Sequence, residues 1–313
     1  MPVPPVLIIG FNRPKHIQQV FNAIKQAKPN RLYIAVDGPR KDRKADLINV
    51  QETINIFENI DWPCNVKRLI RKENLGCKMA VSSAITWFFE HEEQGIILED
   101  DCLPSSSFFN YCEYLLDKYK YNDSIMHING VNFQDGIVRG TGSYYFSKIC
   151  HVWGWATWRR AWEKYDIEMK EVETFFEYNI YKSVINYPNS LKYWQSAFYK
   201  TKQGLIDTWD YQWVYSVWKN NGLAIASNYN LVSNIGFDEM ATHTKDIDLN
   251  VSGKALESIK GEVQDCSIYI PHYDADIYSC NKLFTVRKKN LFVRFRNKIK
   301  SEILKINSYY NSN

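Results

Sequence analysis

The first hundred residues alternate continuous apolar runs with amphipathic segments, and few folds accommodate that order. Val6-Leu7-Ile8-Ile9-Gly10-Phe11 is apolar throughout, the pattern of a strand covered on both faces. Asn12-Arg13-Pro14 ends it, and Ile17, Val20, Phe21 and Ile24 then recur at helical spacing behind Pro14. Residues 31–36 read as a second strand closed by Asp37-Gly38-Pro39, and 44–60 as a second helix. Residues 65–70 form a third strand ending at Arg71-Lys72. Asn74-Leu75-Gly76 then turns into a helix, and residues 95–98 are a fourth strand. Strands separated by helices pair in parallel through crossovers. The expected fold is therefore α/β, with a mixed, mostly parallel, Rossmann-like sheet flanked by helices. Such sheets bind ligands beyond the carboxyl ends of their strands. Asn12, Arg13, Asp37, Arg71, Glu99, Asp100 and Asp101 all follow strand ends, so they are expected to converge on one edge.

Glu99-Asp100-Asp101 concentrates charge at that edge. Three adjacent carboxylates repel, and a hard divalent cation relieves the repulsion because it prefers carboxylate oxygen. Such a cation keeps positions for the phosphates of a nucleotide. The triplet thus points to a metal-dependent enzyme acting on a nucleotide diphosphate, with a solvated acidic turn as the plain alternative.

Beyond residue 105 the pattern loosens. Residues 108–120 read as helix, 125–131 as strand, 170–203 as two helices and 223–226 as a late strand. Residues 137–157 are rich in glycine and aromatics. With 21 Tyr, 16 Phe and 10 Trp, aromatic faces are available both for stacking on sugars and for an ordinary core. The seven cysteines form no CxxC pair and no regular framework, and the start of the chain shows no signal-peptide pattern. Reduced thiols and a cytoplasmic location are the expectation.

The ordered motifs resemble those of the GT-A glycosyltransferases, close to the N-acetylglucosaminyltransferase I and bacterial family A patterns. The set is Phe11-Asn12-Arg13-Pro14, Val36-Asp37-Gly38, Asn74-Leu75-Gly76, Glu99-Asp100-Asp101 with Pro104 and Phe108-Phe109, Gly154-Trp155, and Trp209-Asp210. The resemblance implies a GT-A domain over 1–245, with a nucleotide-binding half to about 105 and an acceptor half after it. An irregular extension would follow over 246–281 and a basic amphipathic tail over 282–313. It implies a UDP-sugar donor, a glycan or lipid-linked sugar acceptor, and Mn²⁺ or Mg²⁺. Asn12, Arg13 and Arg71 would lie at the nucleotide-sugar, Asp37 would read the uracil edge, Glu99 would face the ribose, and Asp100 would lie between ribose and metal. Asp101 would ligate the metal, with His243 as a second candidate ligand. Asp210 would be the general base of an inverting transfer, with Asp207 as its rival. Gly154, Trp155 and Trp209 would form an acceptor or sugar platform. The family has two adjacent acids between its tryptophans, whereas this chain has Asp210 followed by Tyr211. Asp37 also suits a turn aspartate, and Asp207 or Thr208 a helix cap.

A nucleotidyltransferase that makes sugar nucleotides is the enzymatic alternative, although Phe11-Asn12-Arg13-Pro14 lacks that class's glycine-rich basic loop. An inactive nucleotide- or sugar-binding protein is the other alternative. Residues 282–305 carry nine Lys or Arg and one acid, while the remainder has 30 basic and 34 acidic residues. Leu291, Phe292, Phe295, Ile299 and Ile303 oppose the basic residues, as in an amphipathic helix that docks on anionic lipid. That arrangement suggests peripheral attachment at the inner membrane face. No nucleic-acid motif accompanies it.

Overall fold

The computed structural model describes residues 2–185, 187–237 and 253–285. It is an α/β protein with a mostly parallel eight-stranded sheet flanked by helices. The first half follows the alternation in the sequence: β1 (Val6–Gly10), α1 (Pro14–Ala27), β2 (Arg31–Val36), α2 (Lys44–Ile56), β3 (Asn65–Ile70), α3 (Gly76–Phe89) and β4 (Gln94–Glu99). Next come β5 (Cys102–Pro104), α4 (Ser106–Lys118), β6 (Ile125–Asn129), β7 (Tyr144–Ser147) and β8 (Trp155–Trp158). The short helices α5 (Arg159–Trp162) and α6 (Val172–Glu177) lead to α7 (Pro188–Lys202), α8 (Asp210–Lys219), β9 (Leu223–Ser227), β10 (Val232–Asn234) and α9 (Tyr273–Leu283).

The sheet order is β3-β2-β1-β4-β8-β6-β9-β7, and β5 pairs with β10 in a separate two-stranded unit. β8 and β7 run antiparallel to their neighbours and the other six strands run together. Alternate side chains feed opposite cores, as the period of a strand requires. Val6, Ile8, Leu32, Ile34, Ile96 and Leu98 pack under α1, α2 and α4. Leu7, Ile9, Tyr33, Ala35 and Ile97 face α3, α7 and α8. The register pairs Ile9 with Glu99, Gly10 with Val36, and Val36 with Ile70. The residues that follow each strand therefore emerge level with one another.

Two stretches depart from the sequence reading. β8 lies inside the glycine- and aromatic-rich region, between β4 and β6, and all four of its residues are buried. A short strand covered on both faces shows no alternation, so no periodic signal marks it. The 246–281 segment, read as irregular, contains most of α9, which packs on α7 and β7. Its first turn is capped by His272 Nδ1, which accepts from Ala275 N at 3.3 Å. All seven cysteines are unpaired. Among the described residues no helix is long and apolar enough to cross a membrane.

A histidine in the core contributes to how the fold responds to acid. His127 on β6 is fully buried and stacks on Trp155 at 4.9 Å. Trp213 Nε1 donates to His127 Nδ1 at 3.0 Å, and His127 Nε2 pairs with the His151 carbonyl at 3.0 Å. Nδ1 must accept and Nε2 must donate, so the ring is neutral. Burial lowers its pKa to about 4, against the opposing pull of the His151 carbonyl. The unfolded chain takes up this proton as pH falls through about 6.5, whereas the folded chain resists until about 4. The stability from this group is complete above pH 6.5 and lost between those values, to a total of about 3 kcal/mol. His127→Gln should flatten urea-measured stability across that window relative to wild type. Parallel curves would refute the assignment.

Candidate active site

The carboxyl edge of the sheet gathers the charged residues that follow β1, β2, β3 and β4. Arg13, just before α1, donates through Nη2 to Asp101 Oδ2 at 2.9 Å and pairs with Asp100 Oδ1. All three side chains are largely buried, at 16% exposure for Arg13, 7% for Asp100 and 15% for Asp101. Burial alone would lower the Arg13 pKa, but Asp100 and then Asp101 outweigh it and hold the guanidinium firmly charged. Burial pushes the Asp100 carboxyl up; Arg13 pulls it down and Asp101 adds to the rise. Glu99 lies well above the carboxylate range because of burial, then the charges of Asp101, Asp100 and Asp210. One guanidinium thus faces an excess of carboxylates.

Asp210 opens α8 and reaches this group from the far part of the chain. Its Oδ1 accepts from Tyr211 N at 2.9 Å and from Thr208 Oγ1. Its charge acts on Glu99, on Cys77 and on the buried phenols Tyr165, Tyr193 and Tyr211. Asp207 is turned elsewhere. Its oxygens accept from Cys77 N at 3.0 Å and Lys78 N at 3.1 Å, so it caps the N-terminus of α3, where an anion is favoured. Gly76, at φ +76°, leaves room for it: a side chain there would meet Asp207 Oδ2.

Asp37 is 6% exposed, and its carboxylate accepts from Asn74 Nδ2 at 2.8 Å and Leu75 N at 3.1 Å. Burial raises its pKa, against those backbone donors and the charge of Arg71. Arg71 donates to Ser83 Oγ at 2.7 Å. Asn12 does not enter the acidic group. It donates to Asp46 Oδ1 at 2.7 Å, while Arg40 Nε donates to Asp46 Oδ2 at 2.5 Å and covers the Phe11 ring at 5.0 Å. Sequence reading missed Asp46 and Arg40. An aspartate in the first turn of α2, after a run of basic residues, was the available signal.

The platform expectation needs correcting at its tryptophans. Trp155 is fully buried and Trp209 is 2% exposed; the two stack on each other at 5.6 Å. They are core residues beneath the site, because Trp155 lies on β8 within the sheet, and neither offers a free face to a sugar. Gly154, at φ +62°, takes the Gly130 N–H on its carbonyl at 2.8 Å and packs against Val232. It serves close approach of the chains around β6, β8 and β10.

β10 closes the site from above. Ile235 N donates to the Asp101 carbonyl at 2.8 Å, and Gly236 lies so close that a side chain there would strike Asp101 Oδ2 and Arg13 Nη1. His243 lies outside the described residues. Among the described residues, no three of His, Cys, Asp and Glu are grouped to hold a metal by themselves. A cleft of about 780 Å³ opens between α1 and α2 and meets the acidic group only at Arg13.

No family model and no curated protein matches the chain. Among solved structures, HddC from Yersinia pseudotuberculosis aligns over 52% of this chain and 80% of its own, at 13% identity and a TM-score of 0.31. UDP-glucose pyrophosphorylase complexed with UDP-glucose aligns over 51% of this chain and 70% of its own, at 11% identity and a TM-score of 0.26. At these TM-scores neither superposition bears on what this chain does.

Proposed function

We propose that the chain is a glycosyltransferase that moves a sugar from a UDP-sugar to a glycan or lipid-linked acceptor. The observation that carries this reading is the meeting of Arg13, Glu99-Asp100-Asp101 and Asp210 at the carboxyl edge of a parallel sheet. That edge is where such sheets bind nucleotides. We assign Asp37 to the uracil edge; its carboxylate already faces Asn74 Nδ2 and the N–H groups of Leu75, Gly38 and Gly76, so the ring N–H would displace one of these donors. Arg71 opposes its charge and helps keep it an acceptor. Asp210 takes the proton from the acceptor hydroxyl, as an inverting transfer requires of a positioned carboxylate.

The donor set fits a hard divalent cation, Mn²⁺ or Mg²⁺. Carboxylates exceed cations around Glu99, and Asp101 is the more open of the two acids paired with Arg13. A complete protein cage is not needed, because Mg²⁺ is commonly held by one or two carboxylates plus substrate phosphates. Asp101 would hold the ion, with His243 as a further candidate. When bound there, the ion neutralises the diphosphate leaving group. The basic residues from 286 onward lie outside the described residues, and we assign them to an anionic membrane surface.

Thermal shift with UDP, GDP, CDP or dTDP, each with Mn²⁺, Mg²⁺ or EDTA, tests the donor site. A nucleotide at 100 times its Kd stabilises the fold by about 2.7 kcal/mol. The expected result is a shift with UDP that needs the cation and disappears in Asp101→Ala. No shift with any pair would overturn the reading. Product analysis then separates the enzyme classes. Release of UDP from a UDP-sugar supports glycosyl transfer; release of pyrophosphate from UTP and a sugar 1-phosphate would replace it with nucleotidyl transfer.

A further inference from the structure

The opposite edge of the sheet carries a second built feature. There β6 begins at Ile125, β9 begins at Leu223 and β7 ends at Ser147. A cleft of about 480 Å³ opens among them, lined by Asn122, Ser124, Lys148, Ser183, Asn221 and Tyr269 together with strand-end residues. Lys148 is only 8% exposed. Its Nζ donates to Asn221 Oδ1 at 2.9 Å, the one hydrogen bond of this ammonium among the described residues. An ammonium has three donors.

Asp276 does not complete the set. Its carboxylate accepts from Lys148 N at 2.9 Å, Ser147 Oγ at 2.5 Å and Tyr187 OH at 3.2 Å, and so takes the backbone of Lys148 rather than its charge. It acts on the ammonium only at a distance, and burial still lowers the lysine pKa. A buried cation is costly unless paired and hydrogen-bonded. Here the lysine lines a cleft edged by Asn122, Ser124 and Ser183, with one of its three donors used on Asn221.

The rim adds an independent observation. Ile268 is 64% exposed and Ile270 is 69% exposed, on either side of Tyr269, which lines the cleft and stacks on Phe146 at 5.2 Å. Large apolar side chains left in water in one short segment mark a contact surface more often than scattered ones do.

We propose that the Lys148 cleft is a phosphate site, taking a phosphate mono- or diester. Lys148 Nζ supplies the charge and Ser124 supplies a hydroxyl donor, whereas the Ser183 hydroxyl donates to the Ile180 carbonyl at 2.8 Å. The phosphate is that of a free small molecule or of a lipid headgroup. The Ile268 and Ile270 rim suits the second, because stable attachment to a bilayer takes two signals and an apolar anchor beside a phosphate contact provides both. The site is remote from the acids and independent of the transfer reaction.

The test uses the full chain in EDTA without nucleotide. Inorganic phosphate and glycerol 3-phosphate are titrated calorimetrically at constant ionic strength against chloride. Saturable binding is expected, weakened roughly tenfold to a hundredfold in Lys148→Met. Ser124→Ala, at an exposed position, should weaken it less and keep the wild-type melting temperature, so the proposal stays testable if Lys148→Met misfolds. Absence of saturable binding, or equal binding by wild type and both variants, overturns the site. Flotation with phosphatidylcholine vesicles, with and without phosphatidylglycerol, distinguishes the sources. Loss of flotation in Ile268→Ser/Ile270→Ser, with soluble phosphate binding intact, assigns the lipid headgroup. Unchanged flotation with intact phosphate binding assigns the free phosphate.

Discussion

Under the proposed transfer, Asp210→Asn should lower turnover of the UDP-sugar by about 10²–10⁴, the usual contribution of a positioned general base. It should leave donor binding nearly unchanged. The amide keeps an oxygen for Tyr211 N and Thr208 Oγ1, so α8 still starts where it does. What disappears is the capacity to take a proton from the acceptor hydroxyl. Asp207→Asn should behave differently. Asp207 accepts two N–H groups at the start of α3, so its amide keeps one acceptor but loses the charge at the helix N-terminus, worth about 0.3–1 kcal/mol. The expected result is a lower melting temperature with turnover largely kept. Measuring kcat, KM and melting temperature on both variants separates the rivals. If Asp210→Asn keeps more than a tenth of wild-type turnover while Asp207→Asn loses it, the base is Asp207 and the chemistry at Asp210 is wrong.

The carboxyl-edge gathering was legible because strand ends are legible. Apolar runs that stop at Phe11, Val36, Ile70 and Leu98 fix where each chain leaves the sheet, and parallel pairing then brings the next residues level. Asn12 shows the limit of that logic. It leaves the right edge, but its side chain turns to Asp46 on α2, a contact that depends on helix placement. Trp155 shows another limit. A tryptophan beside a glycine suits a sugar platform and a core equally, and only the insertion of β8 between β4 and β6 decides for the core. Asp207 and Asp210 lie three positions apart in sequence, yet one faces a helix end and the other the acidic group. No spacing rule separates them. His127 carried no motif, and its neutral state follows from two partners that fall on other elements.

Arg13→Met, measured in EDTA, should destabilise the fold by about 3–5 kcal/mol, the cost of removing one partner from a buried ion pair. The guanidinium joins Asp100 and Asp101 within a group of acids, so its loss leaves like charges facing one another at low exposure. Arg13→Lys keeps the charge but replaces the planar fork with a point cation, so its loss should be smaller. The same variants report on the metal. If the triplet is a cation site, Mn²⁺ should restore part of the stability of Arg13→Met and raise its melting temperature more than that of wild type. In wild type the guanidinium already offsets some of the charge. If Mn²⁺ leaves Arg13→Met unchanged, Arg13 is the resident counter-charge of the triplet. The leaving diphosphate would then be met by arginine rather than by a metal. Melting curves on three proteins with and without Mn²⁺ decide this before any sugar or acceptor has been identified.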